Sequence, residues 1–225
     1  MTSTRGSAGP MATSPRFVRR FSRTERVFHW VHAVAFFALL VTGVVLYLPA
    51  LSGALGSRDS VKTIHLYVAA GWAAALVLTA LLGDGRSLRR TMREVELFDD
   101  DDSRWLRRQG APQGRFNAGQ KAHTVVQGAF AVLFAISGLL LWFGEQDTQL
   151  RFGGTIVLHD GLTLMATVLV AGHLYLSLLH PRTRHSMRGI VLGTVREDWA
   201  REHHAKWNAA APPSGLVPPP RAADA

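Results

Sequence analysis

Polar and apolar residues along the chain come in blocks. Val27 to Leu48, Ile64 to Gly83 and Ala122 to Gly144 contain no Asp, Glu, Lys or Arg, and Phe152 to His180 contains only Asp160. A bilayer core takes about 20 helical residues to cross, and each block is long enough. None shows the two-residue alternation of a strand, and in hydrocarbon the backbone must satisfy its own hydrogen bonds, so the blocks predict helices. The expected fold is an all-α membrane protein, a four-helix transmembrane bundle with spans near 27–48, 64–83, 122–144 and 155–180. The first block is too long for the core of a cleaved leader and is read as helix one. The bundle domain is expected over 16–208, with unstructured tails at 1–15 and at the proline-rich 209–225. No internal repeat is evident beyond the helices themselves.

The charges predict how the bundle sits. Of 25 Lys and Arg residues, six precede residue 27, nine lie in 84–121 and seven follow 180. Only Arg58, Lys62 and Arg151 fall in the other two connections. Basic residues near membrane ends stay cytoplasmic, so both termini and the central loop are expected inside, with 49–61 and 145–151 facing out. The net charge of +9 is therefore read as topology and anionic lipid headgroups, not as a nucleic-acid surface. The acidic run Asp99 to Asp102 is expected to be a solvated segment or a contact with a neighbouring protein. With no cysteine in the chain, thiolate-held iron–sulfur clusters and Cys-type zinc sites are excluded, and a redox cofactor must hang on histidine.

An imidazole inside a membrane helix is costly unless it faces the bundle interior and finds a partner. His159 and His173 are 14 residues apart, about 21 Å along a helix and about 40° short of four full turns. They therefore share a face at two depths. Partners at matching depths are His65, four residues below the outer end of the second span, and His29, 19 below the outer end of the first. His29 gives a depth difference of 15 and His32 one of 12, against 14 in the fourth span, so both stay in play with His29 the better match. Two interhelical histidine pairs stacked across a membrane are what two b-type haems require, and bis-imidazole ligation suits electron transfer over oxygen binding. Gly43, Gly71, Gly138, Gly161 and Gly172 lie in the spans, where they allow close approach of a macrocycle or of a neighbouring helix. His32 and His123 are expected at the cytoplasmic interface. His180, His185, His203 and His204 are expected in solvent or at headgroups, and Asp160 either orients an imidazole or is hydrated. Asn117 is placed to cap the third helix, with Lys121 reaching to headgroups.

The segments ERVFHW, TIHLYVAAG, RFNAGQK, LHDGLTLMATVLVAGHLY and SMRGIVLGTVREDWAREHHAKW, spread over about residues 16–208, together resemble the cytochrome b (gamma) subunit of respiratory formate dehydrogenases. That group lies within the di-haem b561-like bacterial membrane cytochromes. The resemblance implies His29 and His173 as axial ligands of the cytoplasmic-side haem iron, and His65 and His159 of the outer one. It implies menaquinone as substrate beside the inner haem, at Asn117, Gly119 and Gln120. It further implies an inner-membrane protein that receives electrons from iron–sulfur (beta) and catalytic subunits outside. The chain would then be an electron-transfer subunit that does not act on the primary substrate alone, in a complex free to assemble further. The alternatives are a cytochrome b serving a NiFe hydrogenase or another b561-type carrier and, from a different class, a histidine-based proton or metal transporter.

Overall fold

The computed structural model describes residues 15–54, 56–150, 152–210 and 216–217. In chain order these form β1 (Phe17–Arg19), α1 (Arg23–Tyr47), α2 (Pro49–Ala54), α3 (Arg58–Leu82), α4 (Gly85–Glu96), α5 (Asp100–Leu106), α6 (Ala118–Gln146) and α7 (Thr155–Leu174). After α7 come a π-helical turn (Tyr175–Leu179), α8 (Met187–Leu192), β2 (Thr194–Arg196), α9 (Glu197–His203), α10 (Ala205–Ala210) and β3 (Leu216–Val217). Apart from Pro15, Ala209, Ala210, Leu216 and Val217, the two tails lie outside the described residues.

Four helices are long and apolar enough to cross a membrane: α1, α3, α6, and α7 with its π-helical turn. Their starts are written locally. Ser22 and Asn117 cap α1 and α6 with their side chains, and Glu25 and Gln120, three residues on, return a bond to each cap's own N–H. Ser57 caps α3. The helices are apolar outward as well as inward: Leu81, Leu82 and Val157 are more than two thirds exposed. A surface of that kind calls for hydrocarbon around it. α1 packs along α3 and α6 along α7. Between these pairs runs a seam, filled at mid-depth by a cluster of Phe130, Leu162 and Ala166 with Phe36, Phe134 and Leu169.

β1, the segment from α8 to α10 and the α4–α5 connection gather at one end of the bundle, called here the near end. β1 pairs antiparallel with β2 and with β3, a small sheet that the helical pattern did not announce. Gly193, in the left-handed region at φ 83°, turns the chain from α8 into β2. Its carbonyl accepts from the backbone N–H of Arg20 and Phe21, and a side chain there would meet Phe21 O at 3.0 Å. At the far end are α2, the short turn Thr148–Leu150, and an ion pair of Lys62 with Glu145 at 3.0 Å.

Three expectations need correction. The acidic run is only partly solvated: Asp99 and Asp100 are exposed, but Asp99 caps α5, Asp102 is buried, and Lys206 pairs with Asp99 and Asp101. Lys121 does not reach headgroups. It is buried, donating to Asp102 at 2.6 Å and to Leu97 O at 2.9 Å, since an ammonium removed from water must be met by a carboxylate. Thirdly, the chain does contain a repeat. Arg20 donates to Arg115 O at 2.8 Å while Arg115 donates to Arg20 O at 3.0 Å, across 95 residues. Phe21 lies against Phe116, their ring centres 5.8 Å apart. The lead-ins Arg20-Phe21-Ser22 and Arg115-Phe116-Asn117, with Glu25 and Gln120 after them, thus meet as two-fold mates, each making the contact that the other makes.

The mates are not equally neutralised. Arg115 also donates to Glu25 (2.6 Å), Glu94 (2.6 Å) and Thr91 (2.5 Å), with only 2 % of its side-chain surface exposed. Breaking a buried pair of this kind costs about 3–5 kcal/mol. Arg115→Met should therefore lower the unfolding temperature of the detergent-solubilised protein markedly, whereas the same change at the exposed Arg19 should leave it within a degree or two of wild type (roughly 0.5 kcal/mol or less).

Candidate functional site

On α7 the residues His159, Leu162, Ala166, Leu169 and His173 recur at steps of three and four, so one stripe runs down the seam. Leu162 and Ala166 are buried in the mid-depth cluster and the two histidines stand above and below it. At the far end His159 faces His65 of α3, with ring centres 6.5 Å apart. At the near end His173 faces His29 of α1 at 6.4 Å. The structure thus brings together both predicted pairs.

An imidazole nitrogen bonds a metal at about 2 Å, as for zinc, and lies about 1.1 Å from its ring centre, so two imidazoles trans on one ion have centres roughly 6.3 Å apart. Both observed spacings match that value. Among the described residues no group of three or more His, Asp or Glu could hold a bare metal ion. Two histidines alone suffice where the remaining coordination positions arrive with the metal, as with a porphyrin's four nitrogens. The buried Nδ1 of His29 has no partner, and the Nδ1 atoms of His65 and His159 each meet a hydroxyl. All three arrangements leave Nε2 available. The residues fit a b-type haem in each pair.

His32 is a poorer candidate than its position suggested. The Trp72 indole donates to its Nδ1 at 3.2 Å, turning the ring towards α3 and away from the seam. His123 stacks on His173, ring centres 4.9 Å apart and planes within 6°. Parallel rings direct their lone pairs alongside one another, so these two cannot clamp one ion between them. Asp160 is exposed.

The proposed quinone residues lie at the near end. Asn117 Oδ1 accepts from the Gln120 N–H at 2.9 Å, and Gln120 Oε1 accepts from the Asn117 N–H at 3.1 Å and from Arg20 at 3.2 Å. With both side-chain oxygens engaged, each NH2 group remains to donate. Gly119 lies against Trp105, where a Cβ would come within 3.4 Å of the indole.

Two near-end residues were missed by sequence reasoning. His204, expected in solvent, is 1 % exposed. Arg20 donates to its Nε2 at 3.1 Å and its Nδ1 lies 2.6 Å from Gly114 O. A guanidinium only donates and a carbonyl only accepts, so the ring must be the neutral Nδ1–H tautomer. Arg20 is buried between the rings of Phe21 and Trp199, 5.2 and 5.3 Å from its guanidinium carbon, with no carboxylate beside it among the described residues. Burial and the neighbouring Arg115 push its pKa down to about 9. The signal available in the sequence was the repeated Arg-Phe-(Ser/Asn), visible only once the two copies are aligned.

A membrane-spanning bundle with stacked interhelical histidine pairs and no thiolate defines a class, the haem-carrying membrane cytochromes. The family model of prokaryotic cytochrome b561 matches residues 20–193, and the chain belongs to that family. It is also 25 % identical over 200 residues to the formate dehydrogenase cytochrome b556 subunit of Haemophilus influenzae, covering 84 % of this chain and 81 % of that one. It is 23 % identical over 202 residues to the formate dehydrogenase cytochrome b556(fdo) subunit of Escherichia coli, covering 84 % and 90 %. With the nitrate-inducible b556(Fdn) subunit of the same organism the identity is 21 % over 208 residues, covering 85 % and 90 %.

Burial, then the neighbouring Arg20, hold the His204 pKa down to about 3, below its ordinary value of 6.5. With α9 and α10 released from the near end, His204 would bind a proton that it refuses when packed there between these pH values, so that packing weakens as pH falls through 6.5, by about tenfold per unit. Asp99, held down to about 2 chiefly by Lys206, adds its loss only below pH 4. Amide exchange over 197–207, corrected for intrinsic rate, should quicken between pH 7.5 and 5.5, and His204→Gln should flatten that dependence.

Proposed function

We propose that this chain is the membrane cytochrome b subunit of a formate dehydrogenase, lying in a bacterial inner membrane with both termini cytoplasmic. It would anchor periplasmic or extracellular iron–sulfur and catalytic subunits and carry their electrons through two b haems to menaquinone. The observation that carries the reading is the pair of histidine couples at 6.4 and 6.5 Å, stacked 14 residues apart on one stripe of α7. That the relatives are cytochrome b556 subunits of formate dehydrogenases supports the choice of enzyme, and the gathering of most basic residues at the near end supports the orientation.

On this reading His65 and His159 ligate the outer haem and His29 and His173 the inner one. Bound haem supplies one-electron chemistry, with both axial positions closed to oxygen. Phe36, Leu162, Ala166 and Leu169 fill the interval between the pairs and keep water out of it. At the near end the NH2 groups of Asn117 and Gln120, with the backbone N–H of Gly119 in the first turn of α6, present donors to a quinone carbonyl as it gains negative charge. The protons for the quinol come from this same side, so inward electron transfer adds to the membrane potential.

Reduced-minus-oxidised spectra with pyridine haemochrome quantification should give two haems per purified chain. His65→Ala and His159→Ala should lose one and the same haem, and His29→Ala and His173→Ala the other. Equal haem content in all four variants would refute the pairing. Asn117→Ser keeps a capping oxygen but removes the NH2 group. It should slow menaquinone reduction about tenfold, the worth of one hydrogen bond, at unchanged haem content.

A further inference from the structure

The far-end imidazoles are held by a matched pair of hydroxyls that no motif announced. Thr42 Oγ1 of α1 donates to Ala38 O at 2.8 Å, with Leu39 O a further acceptor at 3.1 Å, and lies 2.7 Å from His65 Nδ1. Ser137 Oγ of α6 donates to Leu133 O at 2.7 Å, with Phe134 O at 3.3 Å, and lies 2.8 Å from His159 Nδ1. A hydroxyl has one proton; given to a carbonyl of its own helix, it leaves the hydroxyl oxygen to accept from the ring Nδ1–H. In that arrangement both far-end rings are Nδ1–H tautomers with Nε2 free to ligate. The next residue in each helix, Gly43 and Gly138, borders the same ring edge, Cε1. The near-end pair differs: the Nδ1 of His29 is buried without a partner, and His173 is faced by a second ring.

We propose that Thr42 and Ser137 are positioning residues that set the outer haem at a lower reduction potential than the inner one; the inference rests on the di-haem reading above. A hydrogen bond accepted from Nδ1–H raises electron density at Nε2, makes the imidazole a stronger donor and stabilises the ferric state. Two such bonds act on one iron, whereas His29 has none. With haem bound at both pairs, this order would favour one-electron transfer from the site of His65 and His159 to that of His29 and His173, the iron–sulfur partner resupplying the electron from outside.

The test is a spectroscopic redox titration of the purified holo-cytochrome, each haem assigned by its loss in His65→Ala or His29→Ala. In the wild type the lower potential should belong to the haem that His65→Ala removes; the reverse order overturns the proposal. Thr42→Val and Ser137→Ala should each raise that potential alone, favouring reduction about tenfold, which is 59 mV for a one-electron couple. Thr42→Ser and Ser137→Thr should keep the wild-type value. Full haem content with unmoved potentials, or equal shifts in both haems, would count against tuning while leaving the di-haem function intact. A wild-type chain without haem removes that function and this inference together.

Discussion

Helices surrounded by hydrocarbon gain nothing by burying leucine against one another, since lipid solvates it equally well. What holds two helix pairs in register must then lean on close packing and on groups that lipid cannot satisfy: here the imidazoles facing one seam, with the Lys62–Glu145 ion pair at the far end and the Arg115–Glu25 pair at the near end. His65 and His159 at one depth and His29 and His173 at another stand opposite at nearly the same spacing. A shared metal would tie all four to one geometry, and haem insertion would then complete the bundle as well as equip it. The apolar cluster around Leu162 and Ala166 is the complement, filling the interval between the two pairs.

The near end solves a different problem, that of burying cations. Arg115 has two carboxylates and a hydroxyl, while its mate Arg20 has backbone oxygen, an amide and a neutral imidazole. The difference begins in the capping boxes, where α1 carries Glu25 and α6 carries Gln120 at the matching position. The glutamate closes its site with charge. The glutamine leaves an uncompensated guanidinium beside the amides of Asn117 and Gln120, which is the polarity a carbonyl gaining electrons would meet favourably. Two copies of one lead-in have thus become an ion-paired strut and a buried cation held by neutral groups.

The spans and their caps were legible because they depend on residues a few positions apart. The histidine pairs were legible because depth along a straight helix is a matter of counting, and only the one-turn ambiguity between His29 and His32 needed coordinates, resolved by the indole of Trp72. Lys121, Asp102 and His204 were misjudged for a common reason. Each is polar, lies outside the apolar blocks and finds its partner 19 or more residues away, so sequence pattern assigns it to water. The repeat escaped notice because lipid-facing positions accept any apolar residue, which erases similarity everywhere except at the polar contacts.

Those contacts also show where the two-fold relation stops. Thr42 and Ser137 stand 95 residues apart and His65 and His159 stand 94 apart, so the far site is built from matched parts. At the near end the residue 95 positions beyond His29 is Thr124, and the histidine is His123, one place earlier. One residue turns a helical side chain by about 100°. Thr124 is exposed, whereas His123 lies flat against His173 of the seam stripe. The slip thus sets a third imidazole beside the near-end pair, within one helix turn of Gln120. Symmetry serves the far-end pair, and its breaking falls at the end where, on the proposed function, a quinone would also be bound.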